Sequence, residues 1–98
     1  MSRLVIVVPL REGAHEEART LIDEGPPFKF EGTRFDRHDV YLTQHEAVFV
    51  FEAPGVAATL DLAAESPQLW RAAAAWEKLL ADRPRTAATA YSWRREDG

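Results

Sequence analysis

The sequence predicts one α+β domain in which a four-stranded antiparallel sheet carries its helices on one face. Three observations lead there. The runs Leu4-Val5-Ile6-Val7-Val8 and Ala47-Val48-Phe49-Val50-Phe51 do not alternate with polar residues, so each reads as a strand that must be covered on both faces. Each run lies beside a helical stretch, and the elements follow in the order β-α-β-β-α-β. The 98 residues, close to half of them hydrophobic, suffice for one core and are too few for two, so residues 1–98 are read as a single folding unit.

Residues 3–10 read as the first strand. Gly13 to Glu24 reads as a helix, with Ala14, Ala18, Leu21 and Ile22 on one apolar stripe and Glu16, Glu17, Arg19, Asp23 and Glu24 outside it. Gly25 supplies a left-handed helix end, and Pro26-Pro27 forbids continuation. Strands near 37–43 and 46–52 flank Thr43-Gln44-His45-Glu46, a hairpin loop without glycine that suits a type I turn. Pro54-Gly55 opens a helical segment from Val56 to Ala64. After Glu65, Ser66 as N-cap and Pro67 as first helical residue start a further helix to about Asp82, with Leu69, Ala73, Trp76 and Leu80 as its buried stripe and Pro84 as its stop. Thr86 to Trp93 reads as the last strand, small at Ala88, Ala90 and Ser92 on one side and larger at Thr89, Tyr91 and Trp93 on the other.

This order is that of the ferredoxin-like, split βαβ fold, whose first and third strands are central; those are the two doubly apolar runs. On element order, length and the runs Leu4–Val8 and Ala47–Phe51, the whole chain resembles the dimeric α/β-barrel superfamily, which includes antibiotic-biosynthesis monooxygenases, muconolactone-isomerase-like proteins and stress-responsive barrel proteins. The resemblance implies two ferredoxin-like subunits packed sheet against sheet, with a cavity beside each sheet. It implies no catalytic residue, because fold alone does not assign chemistry.

Composition narrows the possibilities. There is no cysteine, which excludes disulfides, thiolate metal sites and a cysteine nucleophile. Net charge is −4 and Arg94-Arg95 is the only adjacent basic pair, so no stripe follows a phosphate backbone and nucleic-acid binding is not expected. The longest aliphatic run is five residues and no leader pattern marks the N-terminus, so neither a membrane span nor secretion is expected and a cytoplasmic protein is the default. Arginine outnumbers lysine ten to two and alanine is abundant, a bias associated with GC-rich bacterial genomes. No metal is expected. His38 and His45 end one strand about 20 Å apart, and His15 has no ligand-spaced partner. No phosphate loop, serine elbow or dinucleotide fingerprint appears, and no cofactor is expected.

The helices cover one side of the sheet, so the other side needs a second copy, a ligand, or both. Left bare, it would match the largest apolar patch usual on a monomer, which makes a homodimer through the sheet face the economical expectation. A four-residue loop places Leu42 opposite Ala47. In that register Phe49 and Phe51 lie under the helices, and Val5, Val7, Tyr41, Val48, Val50, Tyr91 and Trp93 face the open side. This lining fits either dimer-core packing or a small apolar or aromatic ligand.

The connection from Pro26 to Arg37 carries Phe28, Phe30 and Phe35, rings that serve either as a lid or as a plug at the barrel end. The candidate ligand contacts are therefore Tyr41, Tyr91, Trp93, Phe28, Phe30 and Phe35. Asp36 and His38 share one side of an extended chain, where the carboxylate would orient the imidazole and raise its pKa. They are the candidate catalytic pair, and a solvated loop-to-strand junction is the alternative. Trp76 belongs to the buried stripe. Trp70 either packs half-buried or projects toward the preceding break. Three functions remain open: a binding protein for a small apolar molecule, a cofactor-independent monooxygenase or isomerase with His38 as proton acceptor and Tyr41 or Trp93 positioning the substrate, and a non-catalytic interaction module.

Overall fold

A computed structural model describes residues 2–25, 33–63, 65, 67–93 and 95, with the side chains of residues 60, 63 and 69 left aside. The elements are β1 (Ser2–Pro9), α1 (His15–Asp23), β2 (Arg37–Leu42), β3 (Glu46–Ala53), α2 (Val56–Ala63), α3 (Pro67–Glu77) and β4 (Arg85–Ala87). All pairings are antiparallel and the sheet order is β2-β3-β1-β4. The two doubly apolar strands are central, as their composition requires. The fold is the ferredoxin-like α+β fold.

The hairpin register is the one the loop length predicts: Leu42 pairs with Ala47 and Tyr41 with Val48. Thr43 and Glu46 close the turn through a 2.8 Å backbone bond, and the Thr43 hydroxyl takes the Glu46 amide at 2.9 Å. No described non-glycine residue has positive φ, consistent with a type I turn. From this register alternation follows. Ile6, Val8, Leu42, Ala47 and Phe49 face the helices, whereas Val5, Val7, Val48, Val50 and Tyr41 face the opposite side.

The core forms where α1 meets β1 and β3. Ala14, Ala18 and Ala47 are 0–1% exposed, and their small side chains let helix and sheet approach closely around Val8, Leu10 and Leu79. Gly25 has φ +88°, the left-handed end expected of α1, and its amide bonds the Ile22 carbonyl. At the far end, the Ser2 hydroxyl donates to the Ala53 carbonyl at 2.9 Å and accepts from the Val56 amide at 2.8 Å, joining β1, β3 and the start of α2. His15 Nδ1 lies 3.1 Å from the Thr43 carbonyl and ties α1 to the hairpin turn.

Two elements depart from expectation. Helix α3 ends at Glu77 instead of Asp82, because the chain turns there to pair with β1. Leu10 bridges Leu80, Arg11 donates to the Leu79 carbonyl at 2.8 Å and Ala81 to the Pro9 carbonyl at 2.9 Å. Of the expected stripe, Trp76 and Leu80 pack against the core, Ala73 does not, and the side chain of Leu69 lies outside those described. Ala73 is exposed, while Ala72, Ala75 and Trp76 face inward and Leu79 is 1% exposed. Four consecutive alanines, Ala72–Ala75, carry no phase information, which is why apolar spacing put Ala73 on the buried side in place of Ala72 and Ala75. Trp70 is 62% exposed.

Strand β4 is three residues long instead of running from Thr86 to Trp93. It pairs Arg85, Thr86 and Ala87 with Val7, Ile6 and Val5. Beyond it Ala88, Thr89 and Ala90 offer little apolar area to hold an edge strand. Tyr91 and Trp93 are consequently exposed at 82% and 66%, with the Arg95 guanidinium 5.3 Å above the Trp93 ring.

On the uncovered side, Arg3, Glu52 and Arg37 form a row across β1, β3 and β2. Glu52 is buried between Arg3 at 3.5 Å and Arg37 at 3.8 Å, and Arg37 also meets Asp39 at 2.7 Å. The next rows are Val5, Val50 and Asp39, then Val7, Val48 and Tyr41. An apolar centre is thus bounded at one end by paired charges. Among the described residues no helix is long and apolar enough to cross a membrane.

Candidate functional site

A cleft of about 470 Å³ opens between the helices and the β2 edge of the sheet. Its floor is His38, Val40 and Phe49, alternate residues of β2 with the pairing partner of Val40. One wall is the C-terminal end of α1, with Leu21, Ile22 and Glu24. The other is α3, where Gln68, Arg71, Ala72, Ala75 and Trp76 follow the i, i+3, i+4, i+7, i+8 spacing of one helical stripe. The two alanines keep that wall recessed.

Three rings of the lining, His38, Phe49 and Trp76, belong to a continuous series that extends behind the cleft to Phe51 and Phe35. Phe49 meets Trp76 edge-on at 5.1 Å and 84°. The His38 ring stacks on Phe51 at 4.4 Å and 25° and lies 6.4 Å from Phe49 at 12°. Phe51 in turn meets Phe35 at 5.4 Å. Such edge-to-face and offset contacts are favourable arrangements for rings. The cleft thus has the Phe49 ring and, nearly perpendicular to it, the Trp76 ring, with one imidazole set beside them.

The imidazole is half-buried. Burial lowers the pKa of His38 from its ordinary value, opposed by the Val50 carbonyl and more weakly by Asp39. Nδ1 lies 3.1 Å from the Val50 oxygen. A carbonyl only accepts, so in the neutral ring Nδ1 carries the proton and the basic lone pair is on Nε2. The expectation that Asp36 would orient the ring and raise its pKa is corrected here. The backbone carbonyl orients it, desolvation lowers the pKa, and Asp36 is exposed, its amide donating 2.7 Å to the Glu52 carbonyl.

A depressed histidine pKa fixes the sign of its pH dependence. The unfolded chain takes up the proton near pH 6.5 and the folded chain only at lower pH, so this residue's contribution is complete above about pH 6.5 and is lost as pH falls toward the folded pKa. Urea unfolding between pH 8 and 5 should therefore show a loss of stability on acidification that is smaller in His38→Phe. Proton NMR should find His38 titrating below the ordinary histidine value. A titration at or above that value would contradict the assignment.

The other candidates are spread over the molecule. Phe35 joins His38 on the helix side through Phe51. Tyr41 stands on the opposite face of β2 and is 55% exposed. Tyr91 and Trp93 lie beyond β4. Phe28 and Phe30 fall outside the described residues. The structure therefore brings together His38 and Phe35 and does not join them to Tyr41, Tyr91 or Trp93. Glu24, Gln68 and Arg71 were not singled out from the sequence. The signal for the cleft was nevertheless present, since the register that puts Phe49 and Phe51 under the helices puts His38 and Val40 there too. Among the described residues no group of three histidine, aspartate or glutamate side chains converges on a metal position.

No family model matches the chain, and no curated protein matches it. The fold is similar to that of a crystal structure described as an antibiotic biosynthesis monooxygenase, with a TM-score of 0.69 and 15% sequence identity over 94% of this chain and 99% of that one. At that identity the likeness establishes the shared ferredoxin-like fold over essentially the whole of both chains.

Proposed function

We propose that this chain binds a small aromatic molecule in the cleft beneath α1 and α3, and that two copies close the open sheet faces against each other as a dimeric α/β barrel. The observation that carries the first part is the ring-lined floor. Phe49 and Trp76 offer apolar ring contact from two sides, His38 adds one polar atom with a defined donor side, and Ala72 and Ala75 leave the space open. The second part rests on the apolar rows Val5–Val50 and Val7–Val48, which the helices leave uncovered.

A compact aromatic probe tests the cleft. Naphthalene-2-carboxamide should bind with a Kd of about 0.1 mM, as ordinary efficiencies per heavy atom imply. Ala75→Phe, which fills the recessed wall, should weaken that binding at least tenfold while the thermal transition is retained. Binding unchanged in a folded Ala75→Phe protein would overturn this use of the cleft.

A second reading is favoured by His38. Held neutral by burial, with Nε2 basic, it suits the role of general base toward an acidic C–H of the bound molecule. The carbanion so formed is a species that dioxygen can oxidise, and the structural neighbour is described as a monooxygenase. Under this reading Tyr41, across the sheet, does not touch the substrate held in its own chain's cleft.

A further inference from the structure

We infer that the molecule held in the cleft carries a carboxylate, bound by Arg71. This rests on the reading of the cleft as an aromatic-binding site and adds the chemical class of what enters it. Arg71 is the one lysine or arginine among the described residues lining the cleft. The ion pairs among the described residues engage Arg3, Arg19 and Arg37, and none engages Arg71. Among the described residues its guanidinium therefore has no carboxylate within ion-pair distance, and the acid in the lining, Glu24, belongs to the opposite wall. Guanidinium is charged at any working pH, and its planar fork matches the two oxygens of a carboxylate.

The position on α3 decides how such a molecule would lie. Trp76 follows Arg71 by five residues, which is about 7.5 Å along the helix axis. Two fused rings with a carboxyl group bridge that span, with the rings on Phe49 and Trp76 and the acid at Arg71. Gln68, nearly one turn before Arg71, places an amide donor at the same end. Glu24 stands on the opposite wall at the end of α1 and disfavours an acid there, which leaves the Arg71 side as the favoured end for the carboxylate.

The experiment compares 2-naphthoate with naphthalene-2-carboxamide, which share shape and differ in charge, by calorimetric titration of the full chain. The parent should bind the acid about tenfold more tightly than the amide, a typical margin for a charge-assisted hydrogen bond. Arg71→Met should bring the two probes to equal affinity, with the larger loss on the acid, and Arg71→Lys should restore part of the preference. Equal affinity in the parent, or a preference that survives Arg71→Met, overturns the carboxylate assignment and leaves aromatic binding intact. If Ala75→Phe changes neither affinity, the cleft is not the site, and both readings fail. Because Arg71 is exposed, the Arg71 variants are expected to retain the parent's circular dichroism.

Discussion

Leu79→Ala should lower the free energy of unfolding by about 3 kcal/mol and the melting temperature by roughly 15 °C. Leu79 is the largest fully buried side chain among the described residues, at 1% exposure. It packs with Val8, Leu10, Ala14, Ala18 and Ala47 where helix α1 meets the sheet. Three of those neighbours are alanines, which have no longer side chain to swing into the space, so the cavity would remain open. Its backbone is also fixed. The Leu79 amide bonds the Trp76 carbonyl at 2.9 Å and its carbonyl accepts from Arg11 at 2.8 Å. For a domain whose total stability is about 5–15 kcal/mol, this loss is a large fraction. Denaturant unfolding of the two proteins measures it directly, and a loss below about 1 kcal/mol would show that the site relaxes or is not a packing centre.

Val48→Glu should turn the proposed dimer into a monomer. Val48 is the centre of the row Val7, Val48 and Tyr41 on the face opposite the helices. In a single chain the new carboxylate points to water and costs little. In a sheet-to-sheet dimer it would be buried without a partner, at a cost of about 3 kcal/mol or more, over a hundredfold in dissociation constant. Light scattering at micromolar concentration should give twice the chain mass for the parent and the chain mass for the variant. A parent that is already monomeric would contradict the closed barrel, leaving the binding cleft as a property of one chain.

How much of this was legible in the sequence depended on whether a local pattern carried the information. The Thr43–Glu46 loop specified the hairpin register through its length, and with it the face of every residue in β2 and β3. Gly25 before Pro26 marked the end of α1, and Ala14, Ala18, Leu21 and Ile22 marked its buried stripe. Where the pattern was degenerate the reading slipped. The spacing marked Trp76 correctly as buried, but Ala72–Ala75 could present any face, and it is Ala72 and Ala75, not Ala73, that turn inward. The length of β4 was likewise beyond local pattern, because Ala88 and Ala90 satisfy a strand's alternation while contributing almost no burial. The cleft depends on the gap left between α1 and α3 over the β2 edge. That gap belongs to the arrangement of three elements far apart in sequence, and attention to the uncovered face therefore led away from it. His38 was legible as a site residue, but its surroundings were not. The neighbouring Asp36 suggested a raised pKa, whereas the rings of Phe49 and Phe51, more than ten residues away, desolvate it.

The most direct test of the account is a crystal structure of the chain soaked with 2-naphthoate. The expected result is density for the fused rings against Phe49 and Trp76, beneath α1 and α3 and on the His38 side of the sheet. Density over Val5, Val7, Val48 and Val50 on the opposite face, with the cleft empty, would contradict it.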